Sequence, residues 1–136
     1  MTESLRVAPA PEEAPFWEWC RRGELRLQRC AACGRWRHPP RPRCPRCRSA
    51  EVEWAPACGR GTVFTWTVCH PPVLPVFADR VPYNVIVVEL DEGPLMVSNL
   101  VDATPGQLAV GLDVEVVFRP LGELILPQFR PRAAAS

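Results

Sequence analysis

Lysine is absent from these 136 residues; all 16 basic side chains are arginine. Without a lysine amine the chain cannot run Schiff-base chemistry, and a GC-rich genome is a sufficient origin for the bias. No apolar run approaches the roughly 18–20 residues that a membrane span requires. Met1 to Pro15 (MTESLRVAPAPEEAP) has no apolar stretch of the signal-peptide kind. The expected compartment is therefore the cytoplasm, where thiols stay reduced. Histidine is scarce, at two residues, and neither His38 nor His70 has an evident partner set for acid–base catalysis.

Against these gaps stand an apolar fraction of 47% and seven cysteines. The first is enough to build a core. The second, in a reducing compartment, argues for metal rather than disulfides. The net charge of +1 hides a segregation: residues 1–20 carry −3, residues 21–48 carry +9 and residues 49–136 carry −5. A zinc ion held by four thiolates would reduce the middle segment to about +7. Some of its arginines offset such an anionic centre, and others are free to meet an anionic ligand or partner.

The pattern predicts a mainly β protein. Residues 1–14, rich in Pro, Ala and Glu, are expected to form a mobile arm. Residues 15–23 read as a short helix: Pro15 suits a first turn and Gly23 a stop. Phe16, Trp17, Trp19 and Cys20 are too apolar for a free helix, which must dock on the chain's own ribbon or barrel, or on a partner. Residues 24–56 read as a zinc ribbon. Its first strand is ELRLQR, with Leu25 and Leu27 on one face; a basic strand and proline-rich loop span Arg35 to Arg43, and a short return covers Val52 to Trp54. Residues 57–131 read as five strands: Thr62–Val68, Tyr83–Leu90, Leu95–Val101, Asp113–Phe118 and Leu124–Phe129. Phe64, Trp66 and Val68 share one face of the first, and Pro127 confines the last to an edge. Thr104 and Pro105 can open a small helical turn between the third and fourth strands, ending by Gly111. That order suggests an OB-fold barrel, although a small sandwich would be written similarly. Residues 132–136 are a tail.

Cys30, Cys33, Cys44 and Cys47 carry the chemistry. The spacing C-x2-C-x10-C-x2-C puts two thiolates on each of two tight turns, and two facing turns make the S4 cage that zinc prefers. Reduced free cysteines and an iron–sulfur centre are the alternatives. Four thiolates leave no open position, so the ion is expected to be structural, one per chain, stabilising a ribbon that has almost no core. Cys20, Cys58 and Cys69 lack partner spacing and are expected to be small buried apolar residues. His38 is expected to be a surface residue or a substitute ligand. No catalytic residue is assigned. Gly59-Arg60-Gly61 precedes a strand and not a helix, so it is no phosphate loop; its glycines are expected to turn the chain from ribbon into barrel.

Several stretches together carry a family resemblance: FWEWCRRGELRLQRCAACG (16–34), CPRC (44–47), GRGTVFTWTV (59–68), VELDEG (88–93), SNLVD (98–102) and LPQFRP (126–131). From about residue 16 to 131 the chain resembles the zinc-ribbon plus OB-fold proteins called domain of unknown function 35, which associate with thiolase-superfamily enzymes. The resemblance implies a rubredoxin-like ribbon with its zinc on Cys30, Cys33, Cys44 and Cys47. It also implies a non-catalytic accessory subunit in a hetero-oligomer with a thiolase, a hydroxymethylglutaryl-CoA synthase-like enzyme or a lipid-transfer-type retro-aldolase acting on steroid side chains. Such a subunit helps form the acyl-CoA site while the partner holds the catalytic residues.

Two features of the residues favour that expectation. The connection CHPPVLPVFADRVP (69–82) presents Val73, Leu74, Val76 and Phe77 with four prolines, which suits a partner contact or an acyl-chain wall, or else a cover over the chain's own barrel end. The arginine-rich ribbon can attract CoA phosphates. The competing reading is a nucleic-acid-binding ribbon and OB module; the +9 segment favours it and the net −5 of residues 49–136 opposes it.

Overall fold

The computed structural model describes residues 10–72 and 82–133. The expectations for most of the N-terminal arm, for Val73, Leu74, Val76 and Phe77, and for the last three residues fall outside them. The helix α1 (Ala14–Arg21) has Pro15 in its first turn. Its end is closed by Gly23 at φ +75°: Glu24 N–H reaches the Trp19 carbonyl and Gly23 N–H that of Cys20, each at 3.0 Å. Glycine takes this left-handed position at no steric cost. Phe16 and Cys20, one turn apart, are buried, so the helix docks on its own chain. Trp19 lies half-buried with the Arg26 guanidinium 3.9 Å from its ring centre and that of Arg22 at 5.1 Å.

The ribbon is a three-stranded antiparallel sheet, β2-β1-β3, formed by β1 (Arg26–Cys30), β2 (Trp36–Arg37) and β3 (Val52–Pro56). Leu25 and Leu27 turn toward the barrel and are buried. They join Phe16, Cys20 and the barrel residues Val63, Ile86, Val88, Leu90, Met96, Leu100, Val114 and Phe129 in one apolar cluster.

The second sheet contains β4 (Arg60–Cys69), β5 (Tyr83–Leu90), β6 (Leu95–Ser98), β7 (Asp113–Leu121) and β8 (Leu124–Pro131), in the order β6-β5-β4-β7-β8. It curls until Leu100, just past β6, forms a parallel bridge to Phe129 of β8. This is the circuit of an OB-fold, with one 3-10 turn (Pro105–Gln107) between β6 and β7. β6 ends at Ser98, three residues before the predicted limit, because the Asn84 side chain substitutes for the ladder. Its amide donates to the Leu100 carbonyl at 2.9 Å, and its oxygen accepts from Leu100 N–H at 2.6 Å. The pleat of β4 is interrupted between Val63 and Thr65 by a bulge. Val63 is buried, while Phe64, Trp66 and Val68 stay exposed, so the shared face seen in the sequence is not a core face.

The crossing from ribbon to barrel is bonded residue by residue. Ala57 N–H donates to the Leu25 carbonyl at 2.9 Å, Cys58 N–H to Glu92 Oε2 at 2.8 Å, and the Gly59 carbonyl accepts from Val116 N–H at 2.7 Å. Gly59 does turn the chain, at φ +79°, and a Cβ there would stand 2.6 Å from Val116 Cγ1. Gly61 serves a different end: it already lies in β4, and a Cβ on it would come within 2.4 Å of the Glu89 carbonyl oxygen of β5.

Candidate metal centre and arginine-lined hollow

The two cysteine pairs sit on two copies of one turn. In the first, Cys30 N–H bonds the Arg35 carbonyl at 2.9 Å and Gly34 N–H the Cys30 carbonyl at 2.9 Å. In the second, Cys44 N–H bonds the Ser49 carbonyl at 2.9 Å and Arg48 N–H the Cys44 carbonyl at 2.8 Å. Both turns end in a left-handed residue, Gly34 at φ +79° and Arg48 at φ +64°. The Cys33 and Cys47 N–H groups point at Cys30 Sγ and Cys44 Sγ, at 3.4 and 3.5 Å.

All four sulfurs lie within 4.8 Å of one another. Cys30 and Cys47 stand 3.5 Å apart, and Cys33 and Cys44 3.7 Å. Thiolates placed tetrahedrally at about 2.3 Å from a zinc ion would be about 3.8 Å apart, so the cluster has the size of an S4 zinc site. Its electrostatics point the same way. Backbone N–H groups, that of Cys47 foremost, push the Cys44 thiol down to about 6 against the opposing effect of burial. The N–H of Cys33 lowers Cys30. Cys47 receives a stabilising N–H from Ser49, yet the neighbouring Cys30, Cys44 and Cys33 sulfurs push it up to about 11. The cage thus stabilises the first negative charges and resists the last, a conflict that a divalent cation relieves. These thiols fit a resident zinc ion.

The remaining cysteines differ from expectation in part. Cys20 is buried and its thiol is pushed up to about 12 by desolvation. Cys58 is exposed, because the ribbon-to-barrel crossing lies on the surface, and its thiol faces Asp91 Oδ2 at 3.7 Å. Cys69 is half-buried beside Tyr83. His38 is half-buried and lies outside the sulfur cluster. Its ring sits tilted, 5.3 Å from that of Phe16, and desolvation pushes its imidazole down to about 4. His70 is exposed.

Beside the knuckles, a hollow of about 570 Å3 separates the ribbon from the β5–β6 turn; Arg35, Arg37, Arg41, Arg46 and Glu92 are among its lining residues. Arg37 is 5% exposed. Its Nε donates to Gln28 Oε1 at 2.7 Å and one terminal nitrogen to the Arg41 carbonyl at 3.0 Å; the other, Nη1, has no hydrogen-bond partner. Gln28 Oε1 also accepts from Arg41 N–H at 2.8 Å. The sequence did not reveal Gln28 and Arg37 as buried polar residues, nor the half-buried Asn84 as a bonded one. A polar residue inside YNVIVVEL was the one visible signal, since such a group is kept there only when bonded.

A four-cysteine ribbon joined to a five-stranded OB barrel defines a zinc-ribbon/OB-fold protein. Residues 17–53 match the family model of the ChsH2 rubredoxin-like zinc ribbon domain, and residues 54–119 that of the ChsH2 C-terminal OB-fold domain. The chain belongs to the DUF35 family of zinc-ribbon and OB-fold proteins. It is 41% identical over 132 residues to a probable enoyl-CoA hydratase alpha subunit of Thermomonospora curvata, covering 95% of this chain and 41% of that one. It is 36% identical over 114 residues to the 3-oxo-4,17-pregnadiene-20-carboxyl-CoA hydratase alpha subunit of Mycobacterium tuberculosis, covering 84% and 36%. The chain therefore spans about two fifths of the length of these two relatives. A DUF35 domain-containing scaffold protein of Methanocaldococcus jannaschii is 38% identical over 97 residues, 70% of this chain and 67% of that one. Among solved structures, a chain of the Ltp2-ChsH2(DUF35) aldolase superposes with a TM-score of 0.85 at 39% identity, covering 93% of this chain and 98% of that chain.

Proposed function

We propose that this chain is a non-catalytic accessory subunit that binds a thiolase-superfamily enzyme and helps form or stabilise its acyl-CoA site. Cys30, Cys33, Cys44 and Cys47 hold one structural zinc ion. The observation that carries the reading is the near end-to-end likeness to a chain of the Ltp2-ChsH2(DUF35) aldolase. The scaffold name of the archaeal relative supports a supporting role. The acyl-CoA substrate in the name of the mycobacterial relative points to steroid side-chain metabolism.

The arginine-lined hollow gives the role a chemical basis. Arg35, Arg41 and Arg46 beside one cavity suit the phosphates of CoA, because bidentate Arg–phosphate bonds are strong and directional. The decisive experiment is co-expression with a thiolase-superfamily enzyme, followed by size-exclusion chromatography and an acyl-CoA cleavage assay. Co-elution and raised activity are expected. Separate elution, with the enzyme's activity and solubility unchanged, would overturn the reading.

The +9 charge of residues 21–48 also favours nucleic-acid binding. The acidic balance of the barrel counts against a groove that tracks a phosphate backbone. Nanomolar binding of single-stranded nucleic acid, weakening steeply with salt, would move the conclusion there.

A further inference from the structure

β4 is hydrogen-bonded along almost its whole length to β5. Among the described residues, its other side is occupied only at the start. Arg60, Gly61 and Thr62 lie opposite Glu115, Val114 and Asp113 of β7, and Val63 exchanges backbone bonds with Leu112 and Gly111 at 3.0 and 2.8 Å. From Phe64 to Cys69, no described residue bonds that second side. Alternate residues there offer N–H and C=O groups outward. The side chains of Phe64, Trp66 and Val68 are 52%, 41% and 37% exposed.

Folded proteins guard open strand edges with charge, proline or shortness, because a bare edge pairs with any extended chain. The other edges here are guarded. β2 has two residues and is followed closely by Pro39 and Pro40, β3 carries Glu53 and Pro56, β7 beyond its overlap with β4 carries Arg119 and Pro120, and β8 carries Pro127 and Pro131; β6, although Leu95 and Val97 are exposed, is only Leu95–Ser98 and follows Pro94. Gly61 to Cys69 (GTVFTWTVC) contains neither a charge nor a proline.

We propose that the β4 edge from Phe64 to Cys69 takes an extended segment of the partner enzyme as an added strand. The inference rests on the accessory role proposed above and specifies how the partner is held. Backbone groups supply the pairing, and the apolar side chains at alternate positions select a segment with apolar residues at matching positions and no charge facing them. A second copy of this chain is the poorer occupant. A stable interface takes roughly 20–30 residues from each side, and this edge supplies six. A partner already seated elsewhere on the chain can add six residues to a larger contact.

The test is amide hydrogen exchange on the full chain, alone and in complex with the thiolase-superfamily enzyme, with Trp66→Glu measured in parallel. Binding is expected to slow exchange of the outward amides between Phe64 and Cys69 by at least about tenfold, and Trp66→Glu to weaken the complex about tenfold or more. Protection of these amides in the free chain at every concentration would show that the edge is covered internally. Protection that grows with concentration of the free chain would assign it to a second copy. Either result overturns the proposal. A complex that forms while these amides keep exchanging freely removes the strand-addition mode and leaves the accessory role standing. If no complex forms, both fall.

Discussion

Within the ribbon, among the described residues, the buried set is Leu25, Leu27, Gln28, Cys30, Arg37 and Cys44, of which two are thiols and two are polar. The barrel buries Val63, Ile86, Val88, Leu90, Met96, Leu100, Val114 and Phe129, with Ser98 as its one buried polar side chain among the described residues. One region is held by a sulfur cage and a guanidinium–amide network, the other by apolar contact. The ribbon's two leucines belong to the barrel's cluster and not to a core of its own. Small units that cannot close a hydrophobic core depend on a cross-link or a metal, and here that dependence is confined to one end of a continuous molecule.

The largest expected effect separates the two regions. Structural zinc contributes on the order of 10–16 kcal/mol in small zinc peptides. Chelation or Cys44→Ser should therefore remove about one zinc per chain and expose the amides of the knuckles, while β4 to β8 keep their protection. Metal analysis and residue-resolved exchange read this directly. Loss of protection across both regions at once would show that the barrel leans on the metal too. The converse is Phe129→Ala, which empties the barrel's largest fully buried site and should cost about 3–5 kcal/mol. Denaturant unfolding of the zinc-loaded protein measures it, and a loss below about 1 kcal/mol would mean that Phe129 is not central to the packing.

A third effect lies at the seam between them. Desolvation of the half-buried His38 keeps it neutral down to about pH 4, whereas an unfolded histidine protonates near pH 6.5. Below pH 6.5 the unfolded chain binds the extra proton, so stability falls as pH drops from about 6.5 to 4 and is fully present above that window. At about 1.4 kcal/mol per pKa unit, the contribution is about 3 kcal/mol. His38→Phe should flatten this part of the profile relative to the parent protein; equal slopes in both would refute it. The smallest effect is a gain. Arg48 occupies the left-handed position that Gly34 fills in the other knuckle, a conformation costing a side-chain-bearing residue about 1 kcal/mol. Arg48→Gly should raise the midpoint of unfolding slightly, and a fall would show that the arginine side chain does more than tolerate its place.

What could be read in advance follows from where each signal is encoded. The metal cage was legible because a short spacing fixes which sulfurs share a turn, and the strands of the barrel because alternation and turn residues are local. The side of β4 left unpaired among the described residues was not. The alternation of Phe64, Trp66 and Val68 names a face, but the bulge after Val63 and the short overlap with β7 decide what lies opposite. Cys58 was misjudged because burial belongs to the path of the crossing and not to the residue type. The half-buried place of His38 was not legible because its neighbour Phe16 is 22 positions away. Gln28 and Asn84 sit at positions where a local pattern sees a polar side chain, and only the folded chain supplies Arg37 and Leu100 to bond them.

Three consecutive residues at the crossing are each fastened to a different element: Ala57 to the lead of β1, Cys58 to Glu92 in the β5–β6 turn and Gly59 to β7. Such a joint behaves as a bracket and not as a tether. The arginine-lined hollow and the root of β4 are thereby tied through one short bonded joint. Were the proposed partner to use both surfaces, the spacing between them would act as a gauge, admitting a counterpart whose own two contact points are set the same distance apart.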